Sequence, residues 1–254
     1  MNVLISQRHI LWSLIKKELK TKYIGSLLGV WWSVVTPLLI MATVTFIFTK
    51  IIKVNIENFS LFSLAGLLPW FFFSVSLSES SVSIIQKAQL LRQYNLPVEF
   101  IPLSVVCANF INFVFGLIFI IPIFCLFNIQ VTKTLLGLPL VLLAHLFFVA
   151  GLGLVVACVN VFVRDLSHLL GTILLFWFWI TPIFYSIDMV PDPVRWMYNC
   201  NAMVFYIRIY RDILLFGQFP GAHLWGVAIF LGLVTFGAGY LFFLSRKKYF
   251  LKEL

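Results

Sequence analysis

The chain consists of long apolar runs separated by short segments that hold most of its polar and charged residues. A run of about 20 apolar residues is long enough to cross the hydrocarbon core of a bilayer as a helix. The runs predict six spans, at Leu27–Thr49, Leu61–Ile85, Phe100–Phe127, Thr134–Val163, Ser167–Ile187 and His223–Leu244. Stretches such as FINFVFGLIFIIPIFCLF lack the alternation of barrel strands. We therefore predict an all-α integral membrane protein with six transmembrane helices.

A segment with helical periodicity precedes the first span. Between Ile10 and Ile24 the apolar side chains fall on one helical face and the polar ones on the other. The apolar face holds Leu11, Trp12, Ile15, Leu19 and Tyr23, and the opposite face holds Lys16, Lys17 and Lys20. Glu18 and Lys22 are four residues apart in the order that favours an ion pair. The pattern is typical of a helix in the membrane interface, and a basic flank that only fixes topology is the alternative.

The charges predict the orientation. Charged residues make up only 11% of the chain, against about 25% in soluble domains. With six spans, twelve Lys and Arg fall on the side of the termini and six on the other side. Because Lys and Arg are retained in the cytoplasm near span ends, both termini are predicted to be cytoplasmic. The net charge of +9 follows largely from this asymmetry and does not form one patch for nucleic acid.

The second predicted span changes character at its midpoint. LFSLAGLLPWFFF is apolar, whereas SVSLSESSVSII contains six serines and Glu79. Six hydroxyls do not all face lipid at low cost, so this half is expected to pack against other helices or to line a hydrated path. An intramembrane carboxylate is a functional candidate. A simple ion pair between Glu79 and a lysine near the cytoplasmic end is the structural alternative.

Three segments between the spans have their own patterns. Gln86–Val98, QKAQLLRQYNLPV, predicts a short amphipathic helix that has Leu90, Leu91 and Tyr94 on one face and that ends before Pro97. The turn that contains Arg164 and Asp165 predicts a local ion pair. The outer segment 188–221 is too apolar for a plain loop and too polar to cross, and within it Val204–Phe216 predicts an amphipathic helix. Since irregular backbone at membrane depth must be buried in protein or face water, we expect a lid beside a path.

No motif predicts an active site in this chain. The sequence has no GxxxxGK[ST] phosphate loop, no HExxH and no GxSxG. The four cysteines are 18, 33 and 42 residues apart, match no metal-ligand spacing and predict no disulfide within the chain. A transport protein that depends on a separate motor is the best reading of this combination.

The order and spacing of four stretches resemble the ABC-2 type permease subunits of polysaccharide ABC exporters, as in O-antigen and teichoic acid export. These stretches are the basic helix running into KYIGSLLGVWWSVVTPLL, AGLLPWFFF followed by LLRQYNLPVEFIPL, the VRD turn, and NAMVFYIRIYRDILLFG before the last span. The likeness covers nearly the whole chain. It departs at 92–97, RQYNLP, where the family often has Lys-Val-x-Phe-Pro, and at Asn201-Ala202, where it often has Asn-Pro.

The resemblance implies one transmembrane domain over residues 1–254, with an interface helix at 1–24, a coupling helix within 86–98 and an outer gate region at 188–222. It implies a homodimer in the inner membrane, bound to two copies of a P-loop ABC ATPase. ATP and Mg are then bound by that partner, and this chain is a transport subunit with no cofactor or metal of its own. The implied substrate is a glycan on a polyprenyl pyrophosphate lipid, moved outward between the protomers.

The resemblance also assigns residues. Coupling to the ATPase falls to Gln86, Lys87, Leu90, Leu91, Arg92, Tyr94 and Asn95. The lipid pyrophosphate is expected at Arg8, Lys16, Lys17 and Lys20. The channel candidates are Trp70, Phe72, Glu79, Trp177, Trp179 and Tyr185, since aromatic rings offer flat surfaces to sugars. The gate candidates are Arg195, Tyr198, Arg208, Arg211 and Asp212.

Three other functions remain open on the sequence. An ABC-2 permease for drugs or small lipids has the same architecture. A membrane-embedded transferase using Glu79, Arg164 and Asp165 needs no ATPase. A structural membrane anchor tolerates changes in the serine-rich half of the second span.

Overall fold

The computed structural model describes residues 8–94, 96–126 and 133–250, without the side chains of Cys125 and Leu126. All the regular structure in these ranges is helical, which confirms the all-α prediction. The α-helices are α1 Arg8–Tyr23, α2 Trp32–Phe46, α3 Phe59–Gln86, α4 Ala88–Gln93, α5 Phe100–Leu126, α6 Leu138–Phe162, α7 Leu166–Ile180, α8 Asp192–Asn199, α9 Ala202–Leu214 and α10 Ala222–Arg246. Short 3-10 turns precede α2 and α6, and the π-helical turn Ile47–Ile51 extends α2.

Five of the described helical segments are long and apolar enough to cross a membrane. They are Gly29–Ile51, Phe59–Gln86, Phe100–Phe124, Thr134–Phe162 and Ala222–Tyr249. The predicted fifth span, Ser167–Ile187, is shorter in the structure, because α7 has 15 residues and is about 22 Å long. Its end follows from Pro182, which disfavours a helical conformation in Thr181 (φ −85°, ψ 131°). Six crossings remain a prediction.

Helix α3 lies at the centre of the molecule. Its most apolar window is 78% buried, compared with 11% for the first span and 22% for the last. It contacts α2, α5, α6, α7 and α9. The serine-rich half was expected either to pack against other helices or to line a hydrated path. It packs against other helices, since Ser76, Ser80, Ser81 and Ser83 are buried. Small side chains here allow close approach, since a methyl group at Gly153 of α6 would lie 3.3 Å from Ser80 Oγ.

Helices α6 and α10 form the closest backbone contact. A methyl group at Gly232 would lie 2.5 Å from the carbonyl oxygen of Ala144, and methyl groups at Gly151 and Gly239 would also come within 3.0 Å of the facing backbone. Glycines at such seams let two helix backbones approach. Two of the four glycines of α10, Gly226 and Gly237, have nothing within 4 Å of the position of an added methyl group. Packing therefore depends on which face each glycine occupies.

The segment between α7 and α10 contains two helices of different character. Helix α8 is almost wholly exposed. Asn201 caps the start of helix α9, because its side-chain oxygen accepts a hydrogen bond from the N–H of Met203. Nine side chains of α9 are buried. The hydroxyl of Tyr206 donates to the carbonyl of Ala228 at 2.8 Å. Helix α9 is thus part of the core rather than a surface helix.

Candidate functional site

The main polar junction joins α1 to the two helices beneath it. Lys22 Nζ lies 2.8 Å from Glu79 Oε1 of α3 and 2.7 Å from Asn109 Oδ1 of α5. Asn109 Nδ2 donates to the other oxygen of Glu79 at 2.7 Å. The three side chains form a closed triangle of hydrogen bonds. Glu79 therefore has the lysine partner that the structural alternative expected, and its carboxylate is still 43% exposed.

A second ion pair ties α1 to the start of α4. Glu18 accepts from Lys87, the residue between α3 and α4, and each side chain is 21% exposed. The predicted pair between Glu18 and Lys22 within α1 is wrong, because both side chains reach partners on neighbouring helices. Partners fixed by packing need less ordering of flexible side chains than a pair on one exposed helix surface. Helix α1 is thereby attached at two points.

The inner face of α1 differs slightly from the predicted apolar face. Leu14 and Ile15 are its buried residues, whereas Trp12, predicted on the apolar face, is 51% exposed. Lys16 Nζ lies 5.4 Å from the centre of the Trp12 ring. The four predicted pyrophosphate contacts, Arg8, Lys16, Lys17 and Lys20, are all exposed. They form a basic outer face that Lys22, turned inward, does not join.

The predicted coupling helix is shorter than its segment. Helix α4 covers Ala88–Gln93, while Gln86 is the last residue of α3 and Asn95 lies outside the described residues. Leu91 is buried and Leu90 partly buried. Tyr94 is 59% exposed and has extended backbone (φ −124°, ψ 137°), so the prediction that Leu90, Leu91 and Tyr94 share one helical face is wrong. The exposed side chains of this segment are those of Gln89, Arg92, Gln93 and Tyr94.

A cavity of about 460 Å³ lies between α1, α2, α3 and α5. One end is lined by Lys22, Tyr23, Glu79 and Asn109, and most of the remaining wall is apolar. Burial, and secondarily the charge of Glu79, raise the pKa of the Tyr23 phenol above its ordinary value, so this hydroxyl stays protonated at neutral pH. The volume falls in the range of small-molecule sites.

The predicted channel residues do not line one surface. Trp70 and Phe72 are both 3% exposed, Trp70 against Phe178 and Phe72 against Phe113. Only Phe72 and Glu79 of this set reach the cavity. Trp70 and Phe72 are buried because α3 is surrounded by other helices, which the pattern of a single helix does not reveal.

The two tryptophans of α7 also lie in different environments. Trp177 donates from its ring N–H to Asn201 Oδ1 at 2.9 Å, whereas Trp179 is 58% exposed. Residues two apart on a helix point in different directions. The hydroxyls of Tyr185 and Tyr198 lie 3.0 Å apart and link the chain after α7 to α8. This hydrogen bond joins a predicted channel residue, Tyr185, to a predicted gate residue, Tyr198.

The predicted gate residues fall into exposed and buried groups. Arg195 pairs with Asp192 at 2.9 Å on exposed α8, and Arg208 is exposed on α9. Asp212 is half-buried. Arg211 is only 5% exposed, and its guanidinium carbon lies 3.5 Å from the centre of the Phe62 ring. Its Nη2 donates to the carbonyl of Ile183 at 2.7 Å. Arg211 therefore fastens α9 to α3 and to the chain after α7.

The turn before α7 does not contain the predicted ion pair. Within the described ranges, no salt bridge at 4.0 Å or less joins Arg164 to Asp165. The turn is instead fixed by Asn160, whose side-chain oxygen accepts from the N–H of Ser167 at 3.1 Å.

Comparison with known proteins gives consistent relatives. Residues 9–215 match the family model described as "ABC-2 type transporter". The chain is 32% identical to the O-antigen export system permease protein RfbA of Myxococcus xanthus over 253 residues, which are 99% of this chain and 97% of that protein. It is 29% identical over 239 residues to a protein of the same name from Klebsiella pneumoniae, covering 94% of this chain and 92% of the relative.

Proposed function

The chain belongs to the ABC-2 type transporter family, and we propose that it is the membrane subunit of an ATP-driven exporter of O-antigen-like polysaccharide. The observation that carries this proposal is similarity along almost the entire chain to proteins named O-antigen export system permeases. The five apolar helical segments supply the membrane part. The polysaccharide is proposed to travel on a polyprenyl pyrophosphate lipid, from the cytoplasm to the outer side of the inner membrane.

The work of ATP hydrolysis is assigned to a separate subunit. The printed sequence contains no P-loop, so we propose two copies of an ABC ATPase, which bind ATP and Mg, on a homodimer of this chain. Both termini are proposed to face the cytoplasm, since twelve of the eighteen Lys and Arg fall on that side with six crossings. The ATPase then docks on the side that carries α1 and α4.

The connections of α4 support a coupling role. Helix α4 follows α3 after one residue, Lys87, and that residue is paired with Glu18 of α1. Glu79, about two turns earlier in α3, is paired with Lys22, one turn after Glu18 in α1. A push on α4 is therefore transmitted to α1 and α3 together. In this proposal, ATP-driven closure of the motor displaces both helices and opens a path between the protomers.

The exposed basic face of α1 is proposed as the first contact of the substrate. Arg8, Lys16, Lys17 and Lys20 point away from the helices that α1 packs on. Clusters of Lys and Arg at the membrane surface attract anionic lipid head groups at about 1 kcal/mol per charge. A pyrophosphate carries more negative charge than an ordinary phosphodiester, so this face favours the lipid-linked substrate over most other lipids.

The proposal is tested by locating the glycan in cells that lack the chain. Loss of an exporter is expected to leave full-length lipid-linked polysaccharide on the cytoplasmic side and none on the outer side. Normal surface polysaccharide with loss of drug or small-lipid efflux would indicate the other kind of ABC-2 permease. Shortened or unmodified glycan would indicate a transferase. Glycan of unchanged structure and location would indicate a structural anchor.

The coupling role is tested by complementing the same cells with single variants. Gln89→Asp and Tyr94→Asp change exposed positions in and after α4, so the fold should survive while motor binding is lost. Gln218→Asp, at an exposed position between α9 and α10, is the matched control and should export normally. Leu91 is a poor choice because it is buried. Full export and motor co-purification with both α4 variants would contradict the coupling assignment.

A further inference from the structure

We propose that the cavity between α1, α2, α3 and α5 is a binding site for one glycerophospholipid with a phosphoethanolamine head group. This lipid is a resident of each protomer and is distinct from the exported lipid-linked glycan. The site does not depend on what the protein exports, and only the identity of the leaflet depends on the proposed orientation.

The shape of the cavity matches one leaflet of a bilayer. Its wall follows α3 from Glu79 to Leu68, which are eleven positions apart in the helix and therefore about 16 Å apart along its axis. The hydrocarbon core is about 30 Å thick, so this distance is close to half of it. The end with Glu79 is the one beside α1, and the end with Leu68 is deeper. A lipid of that leaflet enters with its head group at the charged end and a chain along the apolar wall.

The charged end is matched to a zwitterion. Lys22 and Glu79 form an ion pair, so the site offers one positive and one negative group of little net charge. Two of the three donors of the ammonium are used, on Glu79 and Asn109, and one remains. The Glu79 oxygens each accept one hydrogen bond and retain lone pairs. A phosphate takes the free donor of Lys22, and a primary ammonium donates to Glu79.

Asn112 supplies an independent indication of a lipid ester. It lies one turn deeper than Asn109 on α5, lines the cavity and is 7% exposed. Neither its Nδ2 nor its Oδ1 has a hydrogen-bond partner among the described residues. A buried amide left without hydrogen-bond partners is destabilising. Just below a phosphate, a glycerophospholipid carries ester carbonyls, which accept from Nδ2. A prenyl phosphate has no carbonyl there.

The rim of the cavity is suited to lipid entry. Trp32 and Val75 line the cavity and are 46% and 36% exposed, so the wall opens between α2 and α3. The first span is the least covered of the five, with 11% of its window buried. Tryptophan favours the head-group region because its ring is apolar and its N–H is polar. A lipid chain thus reaches the cavity sideways from the bilayer.

The test is native mass spectrometry of the full-length chain with any co-purified ATPase. The protein is delipidated and offered an equimolar mixture of dioleoyl-phosphatidylethanolamine, dioleoyl-phosphatidylglycerol and a long-chain prenyl phosphate. We expect one phosphatidylethanolamine per protomer, retained at least about threefold over the other two. Val75→Phe fills the apolar wall and should lower retention about tenfold, which corresponds to about 1.4 kcal/mol. Val234→Phe, at an exposed valine of α10 outside the cavity, is the matched control and should bind like the parent.

A photo-crosslink covers the case in which Val75→Phe fails to fold. Benzoylphenylalanine at position 75 should add the mass of a phospholipid after irradiation in membranes. A crosslinked dimer of the chain would mean that a second copy covers the cavity and would overturn the proposal. Equal retention by both phenylalanine variants, or a preference for the prenyl phosphate or phosphatidylglycerol, would also overturn it.

Discussion

The seam between α6 and α10 gives the sharpest prediction about stability. A methyl group at Gly232 would lie 2.5 Å from the carbonyl oxygen of Ala144, whereas ordinary contacts of this kind begin at 3.4 Å. The backbones must therefore separate by about 0.9 Å in Gly232→Ala. A gap of 0.5–1 Å forfeits roughly a quarter to a half of the van der Waals attraction between the atoms it separates. Overpacking of this kind typically costs about 1–3 kcal/mol, only partly offset by the helix propensity that alanine gains over glycine.

Gly237→Ala is the matched control, because it lies five residues further on the same helix with nothing within 4 Å of the added methyl group. We expect thermal unfolding in detergent, followed by loss of monodisperse protein, to shift down by about 3–6 °C for Gly232→Ala. Gly237→Ala should leave it unchanged or slightly raised. Equal unfolding midpoints for the two variants would refute the packing argument, and so would a midpoint that is lower for Gly237→Ala than for Gly232→Ala.

Two further predictions concern α1. Lys22→Met and Glu79→Gln should each lower the free energy of unfolding by about 1 kcal/mol. A double-mutant cycle should give a coupling energy of about 0.5–1 kcal/mol, because both side chains are partly exposed. Strictly additive effects would mean that the ion pair contributes nothing to stability. Changing Lys16, Lys17 and Lys20 together to Gln should reduce export several-fold with normal assembly, measured as surface polysaccharide. The control is Lys50→Gln with Lys53→Gln, at exposed positions in the last turn of the first span and just after it. Undiminished export by the triple variant would mean that the basic face only fixes the topology of the chain in the membrane.

The sequence pattern was sufficient to predict a helix whose start and end depend only on its own residues. The second span, predicted at Leu61–Ile85, is helix Phe59–Gln86, because a run of apolar residues reports both the length and the ends of a crossing. The predicted fifth span failed at Thr181, although Pro182 was visible in the sequence. There the apolar run continued beyond the point at which the backbone left the helix. Hydropathy measures the environment of a segment rather than its hydrogen bonding.

Features that depend on two helices were not predictable in the same way. Lys22 has a favourable partner four residues away in Glu18, yet it binds Glu79 and Asn109, which are 57 and 87 residues distant. Gly232 and Gly237 are the same residue type on one helix, but only Gly232 meets another backbone. Arg211 belongs to an amphipathic pattern and is nevertheless buried on Phe62. Each outcome is set by which neighbour packs on a given face.

The most direct test of the central claim is transport by the purified chain with its cognate ABC ATPase in proteoliposomes. Lipid-linked O-antigen-type glycan is supplied on the side that carries the ATPase, and its arrival on the opposite side is followed with a membrane-impermeant lectin. We predict arrival that requires ATP, Mg and both proteins, and that is abolished by Tyr94→Asp but not by Gln218→Asp. Transfer or modification of the glycan by the chain alone, or ATP-driven movement of small lipids without the glycan, would contradict it.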